Sequence, residues 1–177
     1  MEFDDYLKEQ KIINLAKANA EGLKYLVFFS LIFAVPFYFI WDFQVPKPNI
    51  PLLVLVLGIV LHELIHGMFF ALFASKGLKS IKFGILWKML TPYCHCKEPL
   101  KIREYSIALL APLVILGLLP AIISLFTGSA ALLLIGMFFS VAAAGDIMIF
   151  LLIRKENPED YVQDHPSEAG YYIFRKN

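Results

Sequence analysis

Cysteine is nearly absent from this chain. Among its 177 residues only Cys94 and Cys96 occur, and two thiols separated by one residue close too short a loop to constrain the unfolded chain, so no disulfide framework is indicated. Reduced thiols place that segment on the cytosolic side. Charge is scarce as well: 18% of residues are Asp, Glu, Lys or Arg, and sixteen cations against fifteen anions leave a net charge of +1. The basic footprint of a nucleic-acid binder is therefore missing, and nucleic acid is not expected as a partner. Four histidines are too few for the histidine boxes of membrane di-iron desaturases. No glycine-rich phosphate loop and no G-x-S-x-G elbow occurs. A cleavable signal peptide is not expected, because the first apolar run follows a charged leader and carries Pro36 where small cleavage-site residues belong.

What the chain has in abundance is apolar sequence, 59% of the total, with a mean hydropathy of +0.67. Four runs have about the length that crosses a bilayer: Tyr25–Trp41, Leu52–Ala74, Tyr105–Phe126 and Ala130–Ile153. The last two are separated only by Thr127, Gly128 and Ser129, which predicts a tight helical hairpin. Lys and Arg number four before the first run, one at 42–51, seven at 75–104, none at 127–129 and four after Ile153. That alternation predicts a multi-pass protein of the cell membrane with both termini cytoplasmic. Trp41 falls at the predicted outer edge, and Pro36, Pro112 and Pro120 fall inside runs, where membrane helices tolerate them.

The remaining segments are a leader (1–24), a middle loop (75–104) and a tail (154–177). The leader mixes Phe3, Tyr6, Ile12, Ile13 and Leu15 with nine charged residues, and reads either as an amphipathic helix on the inner surface or as a solvated end. In the middle loop Ile81, Phe83, Ile85, Trp87 and Met89 alternate with Ser80, Lys82, Gly84, Leu86 and Lys88, and Leu100 and Ile102 repeat the period of two. Two short strands joined around Thr91 to Pro99 are expected. The tail has a turn at Asp164-His165-Pro166 and an extended Tyr171 to Phe174. The expected fold is one all-α membrane domain over 1–177, four transmembrane helices with a small cytosolic β-hairpin between helices two and three.

The ionisable inventory of the four runs is short: His62, Glu63, His66 and Asp146. Each costs roughly 2.5–3.5 kcal/mol or more at mid-bilayer on insertion scales, so each asks for a functional explanation. His62-Glu63-Leu64-Ile65-His66 is the H-E-x-x-H pattern. On a helix, positions i and i+4 share a face, so two imidazoles can hold one metal while the glutamate between them reaches water beside it. A catalytic zinc takes three protein ligands, and Asp146 is the intramembrane candidate for the third. His66 lies fifteen residues along its run from Pro51, and Asp146 sixteen residues along from Ala130. Both therefore sit roughly 22–24 Å below the outer face at helical rise. A divalent cation would neutralise the carboxylate and take up the lone pairs of this otherwise costly set. Imidazole and carboxylate favour Zn2+, with iron or cobalt compatible. Gly58, Gly136, Ser140 and Ala144 provide small faces for close approach, and Ala142 and Ala143 leave space around the Asp146 carboxylate.

Cys94-His95-Cys96 offers a second donor set, but three consecutive residues do not give standard zinc-finger spacing, and a strand-connecting loop with buried thiols is the competing reading. His165 beside a proline reads as a turn residue. Ile81, Phe83 and Ile85 just after the H-E-x-x-H helix offer an edge for strand addition to an extended substrate, or else form a hairpin resting on the membrane surface.

With His62-Glu63-Leu64-Ile65-His66-Gly67, Ala144-Gly145-Asp146 and Asp164-His165-Pro166 followed by Gly170, the chain resembles the prokaryotic membrane family of putative zincin peptidases, which is similar to the site-2-type intramembrane zinc metalloproteases. The resemblance implies His62, His66 and Asp146 as ligands, Glu63 as catalytic acid/base, and a membrane protein or peptide as substrate. One departure stands out. Site-2 proteases carry an Asn and a Pro before the ligand Asp and a Gly after it; the corresponding positions here hold Phe138, Val141 and Ile147. The substrate-positioning Asn of those relatives has no counterpart in this chain. The expected function is intramembrane zinc proteolysis. The alternatives are a zinc-stapled membrane protein without catalysis, serving as regulator or chaperone, and a peptidase acting on soluble or lipidated tails at the inner surface.

Overall fold

The computed structural model describes residues 6–12, 15–42, 50–86, 91–165 and 170–176. Phe3, Ile13, Trp87, Lys88, Met89 and Pro166, named above, lie outside the described residues. Two-thirds of the described chain is helical, and the rest includes six antiparallel strands. The all-α class therefore does not describe the whole molecule.

The helices follow the apolar runs. Helix α1 (Leu15–Phe29) continues through a π-helical turn (Ser30–Ala34) into α2 (Val35–Trp41), with Gly22–Trp41 long and apolar enough to cross a membrane. Pro36 follows the π turn, as expected where a missing N–H and a ring clash must be relieved. Helix α3 (Leu52–Phe73) begins after Pro51 and ends as Ala74 turns extended. Helix α4 (Ile102–Pro112), a second π-helical stretch (Leu113–Leu118) and α5 (Leu119–Thr127) make the third apolar span, Ile102–Thr127. The fourth run is not one straight helix. Helix α6 (Ala130–Ala142) and helix α7 (Ala144–Ile153) meet at Ala143 with a bend of 48°.

Packing among the spans uses small residues. The ring of Phe139 lies directly over Gly58, one turn outward of His62, so closely that a methyl group there would collide with it. That contact brings α6 against α3 beside the H-E-x-x-H turn. Gly136 and Ser140, expected to ease close helix contact, lie against Ala121 and Gly117 of the third span. Trp41 donates from Nε1 to the Leu125 carbonyl at 3.1 Å and so ties the end of the first span to the end of the third.

The leader and tail depart from expectation. Tyr6–Ile12 is a strand, β1, rather than part of a surface helix, and helix α1 starts only at Leu15. In the middle loop β2 (Ile81–Leu86) lies where the period-two pattern puts a strand, but its partner is β3 (Thr91–Cys96), within the stretch read as a connection. Leu100–Lys101, β4, pairs instead with β5 (Tyr161–Asp164) of the tail. Strand β6 (Gly170–Lys176) covers the extended stretch expected at Tyr171 to Phe174, and the four-stranded sheet has the order β1-β6-β5-β4.

The underside of this sheet joins the inner helix ends in one core. Val162, Tyr171 and Ile173 are fully or almost fully buried with Phe70, Tyr105, Leu109 and Ile153. At about 1.5–3 kcal/mol for each large apolar side chain removed from water, this cluster rather than the sheet ladder holds the strands to the helices. A lattice of Glu9, Lys11, Glu156 and Arg175 covers the outer strand pair, with Arg175 donating to Glu156 at 3.0 and 3.1 Å.

Candidate metal centre

The H-E-x-x-H turn lies at the middle of α3, where one face meets α4 and the break between α6 and α7. His62 and His66 are one helical turn apart on that face and almost fully buried, with ring centroids 4.8 Å apart. The break at Ala143 places Asp146 in the first turn of α7, where unsatisfied N–H groups favour a carboxylate. A straight fourth helix would not start a new N-terminus at that depth. His62 Nε2 and Asp146 Oδ2 are 3.2 Å apart, His66 Nε2 and Asp146 Oδ1 3.5 Å, and the two Nε2 atoms 3.2 Å.

Those distances fit a metal. Bonds of about 2.0–2.1 Å at a tetrahedral angle separate neighbouring donor atoms by about 3.3 Å. His66 Nδ1 lies 3.0 Å from the Ala108 carbonyl. A carbonyl only accepts, so Nδ1 carries the proton and Nε2 presents a lone pair. Stacking on Phe70, itself packed on Tyr105, holds the ring in that orientation. Two imidazole nitrogens and a carboxylate converge in a buried space, where one cation would take up a lone pair from each. Among the described residues, His62, His66 and Asp146 form a possible metal site, with one donor atom from each all within 4.8 Å of one another. The set is that of zinc, although three donors of this kind also suit iron or cobalt.

Glu63 borders the same space. A cavity of about 260 Å³ is lined by the three candidate ligands, Glu63, Tyr105, Ala142, Gly145 and Asp164, with Pro92, Tyr93 and Cys94 of β3 as its far wall. A second cleft of about 240 Å³ shares His62, Glu63, Pro92 and Ala142 and extends outward past Ile59, Phe138 and Phe139. We read the two clefts, which adjoin at those four residues, as one passage with Asp164 lining one end and Phe138 the other. Ala142 and Gly145 leave its width open, while Ala143 is buried on the other side of the helix.

The strand along this passage is β3. Lys97 N donates to Ser80 O at 2.8 Å, which makes Ile81–Cys96, Phe83–Cys94 and Ile85–Pro92 the non-hydrogen-bonded pairs of the hairpin. The backbone groups of Pro92, Cys94 and Cys96 therefore point away from β2 and towards the cavity side. Pro92 has no N–H, and Cys96 N donates to Asp164 Oδ2 at 2.8 Å. The Cys94 amide remains and faces the Glu63 carboxylate.

Of the three residues expected to contact substrate, Ile81 is buried in the core, Phe83 packs across Gly67, and Ile85 is exposed. None of the three lines the two clefts, whose strand wall comes from β3. Sequence reasoning overlooked Asp164 and Tyr105, which line the inner end of the cavity and are joined by a hydrogen bond from the Tyr105 hydroxyl to Asp164 Oδ1. Asp164 stood in a noted tail motif, but only the pairing of β5 with β4 and β6 brings it to the site. Burial holds its carboxyl above the ordinary carboxylate range. Burial also pushes the Cys96 thiol up to about 11 and the Cys94 thiol higher still. Both are thus protonated thiols at neutral pH, and strand alternation puts His95 on the opposite face from them. Among the described residues the donors that converge as a group of three are His62, His66 and Asp146; Cys94, His95 and Cys96 do not form such a group.

Residues 55–161 match the model of a family described as putative zincin peptidase. The matched stretch contains His62, Glu63, His66, Asp146 and the whole of β3. No curated protein and no solved structure matches the chain.

If Asp146 closes the coordination sphere, Asp146→Ala lowers zinc affinity by at least the 10–100-fold that even an outer-shell partner is worth. Zinc content after dialysis against a chelator measures it. Equal occupancy in the variant and the parent would remove Asp146 from the ligand set.

Proposed function

The chain belongs to the putative zincin peptidase family, and from that membership and the geometry of its site we propose that it is a zinc metallopeptidase that hydrolyses peptide bonds of membrane-embedded or membrane-proximal protein substrates. The observation that carries this reading is the convergence of His62, His66 and Asp146 beside Glu63, at the inner end of apolar helices, in a cavity open to a substrate.

The residues divide the work. His62, His66 and Asp146 would hold Zn2+. The chemistry that a bound zinc supplies is Lewis acidity, which acidifies water towards a pKa of about 7 and polarises a scissile carbonyl. Glu63 takes the proton of the attacking water and passes it to the leaving amine, in the role of general base and then general acid. The Cys94 amide steadies the Glu63 carboxylate from the strand side. Water enters from the end of the passage beside Asp164 and Tyr105, and the other end, past Ile59 and Phe138, suits a hydrophobic stretch of substrate. An extended substrate runs between α3 and β3, because a helical one would keep its amide shielded. Strand addition, expected from Ile81, Phe83 and Ile85, is better supported along β3, whose edge borders Glu63.

The proposed setting is the cell membrane, crossed four times, with both termini and the middle loop in the cytoplasm. Parity supports it. Strand β1 before the first span, β4 between the second and third, and β5 and β6 after the fourth run share one sheet, so they lie on one side of a bilayer. An even number of crossings must then precede and follow the middle loop, which makes the bent pair α6 and α7 a single crossing. Reporter fusions test this: a tag at 127–129 reads as external and tags at either end as cytoplasmic. A terminus found outside contradicts it.

Glu63→Gln tests the chemistry. Zinc binding should persist, and cleavage of a co-expressed membrane substrate should fall by about 10²–10⁴-fold, the usual worth of a general base. Unchanged function in that variant would instead favour zinc as a staple between helices, without catalysis.

A further inference from the structure

We propose that Pro112 is a positioning residue for His66, acting through the N–H that it lacks. This rests on the reading of His66 as a metal ligand.

In an α-helix the carbonyl of residue i accepts from the N–H of residue i+4. For Ala108, in the third span, that donor belongs to position 112, which is proline. The Ala108 carbonyl is thus denied its helical partner inside a span where no lipid group can replace it, and an unpaired carbonyl there is costly. Ala108 is fully buried, and the donor that reaches its oxygen is His66 Nδ1 from α3 at 3.0 Å. Each element supplies what the other is missing. The helix gains a donor for its freed carbonyl; the imidazole gains the acceptor that keeps its proton on Nδ1 and leaves Nε2 for the metal.

The same proline is followed by a change of winding. Leu113–Leu118 coil as a π-helix, and within that stretch Gly117 lies against the backbone and hydroxyl of Ser140 on α6. Six residues after Ser140 comes Asp146. The third span therefore bears on both sides of the site: directly at His66 through the Ala108 carbonyl, and through helix contact with α6, which leads into the first turn of α7 where Asp146 sits. An alanine at position 112 would restore a donor that competes with His66 for the Ala108 oxygen.

The test needs the full chain in detergent, zinc as the probe, and two substitutions at position 112. Pro112→Ala should weaken zinc binding by about 10–100-fold, the usual effect of losing an outer-shell partner. Lactic acid at position 112, introduced by nonsense suppression, lacks both the N–H and the pyrrolidine ring. It should keep the affinity within about twofold of the parent, the scatter of a neutral change. A readout without metal accompanies these: in the apo protein the His66 Nδ1–H, held by the Ala108 carbonyl, should exchange slowly with solvent in ¹⁵N spectra of the parent and the lactic acid form, and fast in Pro112→Ala. Equal zinc affinity in the alanine and lactic acid forms, whether both tight or both weak, overturns the proposal. Failure of the parent to take up zinc overturns the metal reading instead, and the apo imidazole signal then decides the role of Pro112 by itself.

Discussion

Polar groups carried into an apolar span must find partners within the protein, since hydrocarbon offers none. Two imidazoles, two carboxylates and a proline-freed carbonyl are such groups here, and the half of the molecule next to the four-stranded sheet is arranged around their mutual satisfaction. Close packing of Phe139 on Gly58 draws α6 against the H-E-x-x-H helix. The break at Ala143 then starts a new helix whose first turn presents Asp146 to both histidines. Neither device would have value in a straight, uniformly apolar bundle.

The sheet extends this arrangement outside the spans. Asp164 on β5 accepts from Tyr105 of the third span and from the backbone of β3, so one carboxylate fastens tail, helix and strand at the inner mouth of the cavity. The leader strand β1 braces β6 from the other side, with the Arg175 ion pairs over it. The wall that faces Glu63 is therefore held by segments from both ends of the chain, although the site's own side chains lie within 62–146.

Much of this was legible in the amino-acid pattern because membrane constraints are local. Twenty apolar residues declare a span, and three of the four expected runs are helices long and apolar enough to cross a membrane, with ends within three residues of expectation, while the fourth is a bent pair. Four ionisable residues among so many apolar ones single themselves out, and the structure places His62, His66 and Asp146 together with Glu63 beside them. The sheet was not legible for the opposite reason. Strand β1 reads Tyr-Leu-Lys-Glu-Gln-Lys-Ile, mostly exposed and without a clean period of two, and it pairs with residues more than 150 positions away. Strand β3 carries Pro92 and two cysteines, which resemble a connection until the partner strand is known. The Ala108 carbonyl is a backbone atom, invisible to any inventory of side chains; its only trace is Pro112 four residues later. The break at Ala143 falls in an alanine-rich stretch with neither glycine nor proline at the bend itself.

The central claim is that a zinc ion is held by two imidazoles and a carboxylate, with no thiolate, in a chain whose two cysteines stand nearby. X-ray absorption at the zinc edge of the purified full-length protein addresses it directly. The account predicts nitrogen and oxygen neighbours at about 2.0–2.2 Å with the outer-shell scattering of two imidazole rings. A sulfur neighbour at about 2.3 Å, or the absence of imidazole scattering, would contradict it.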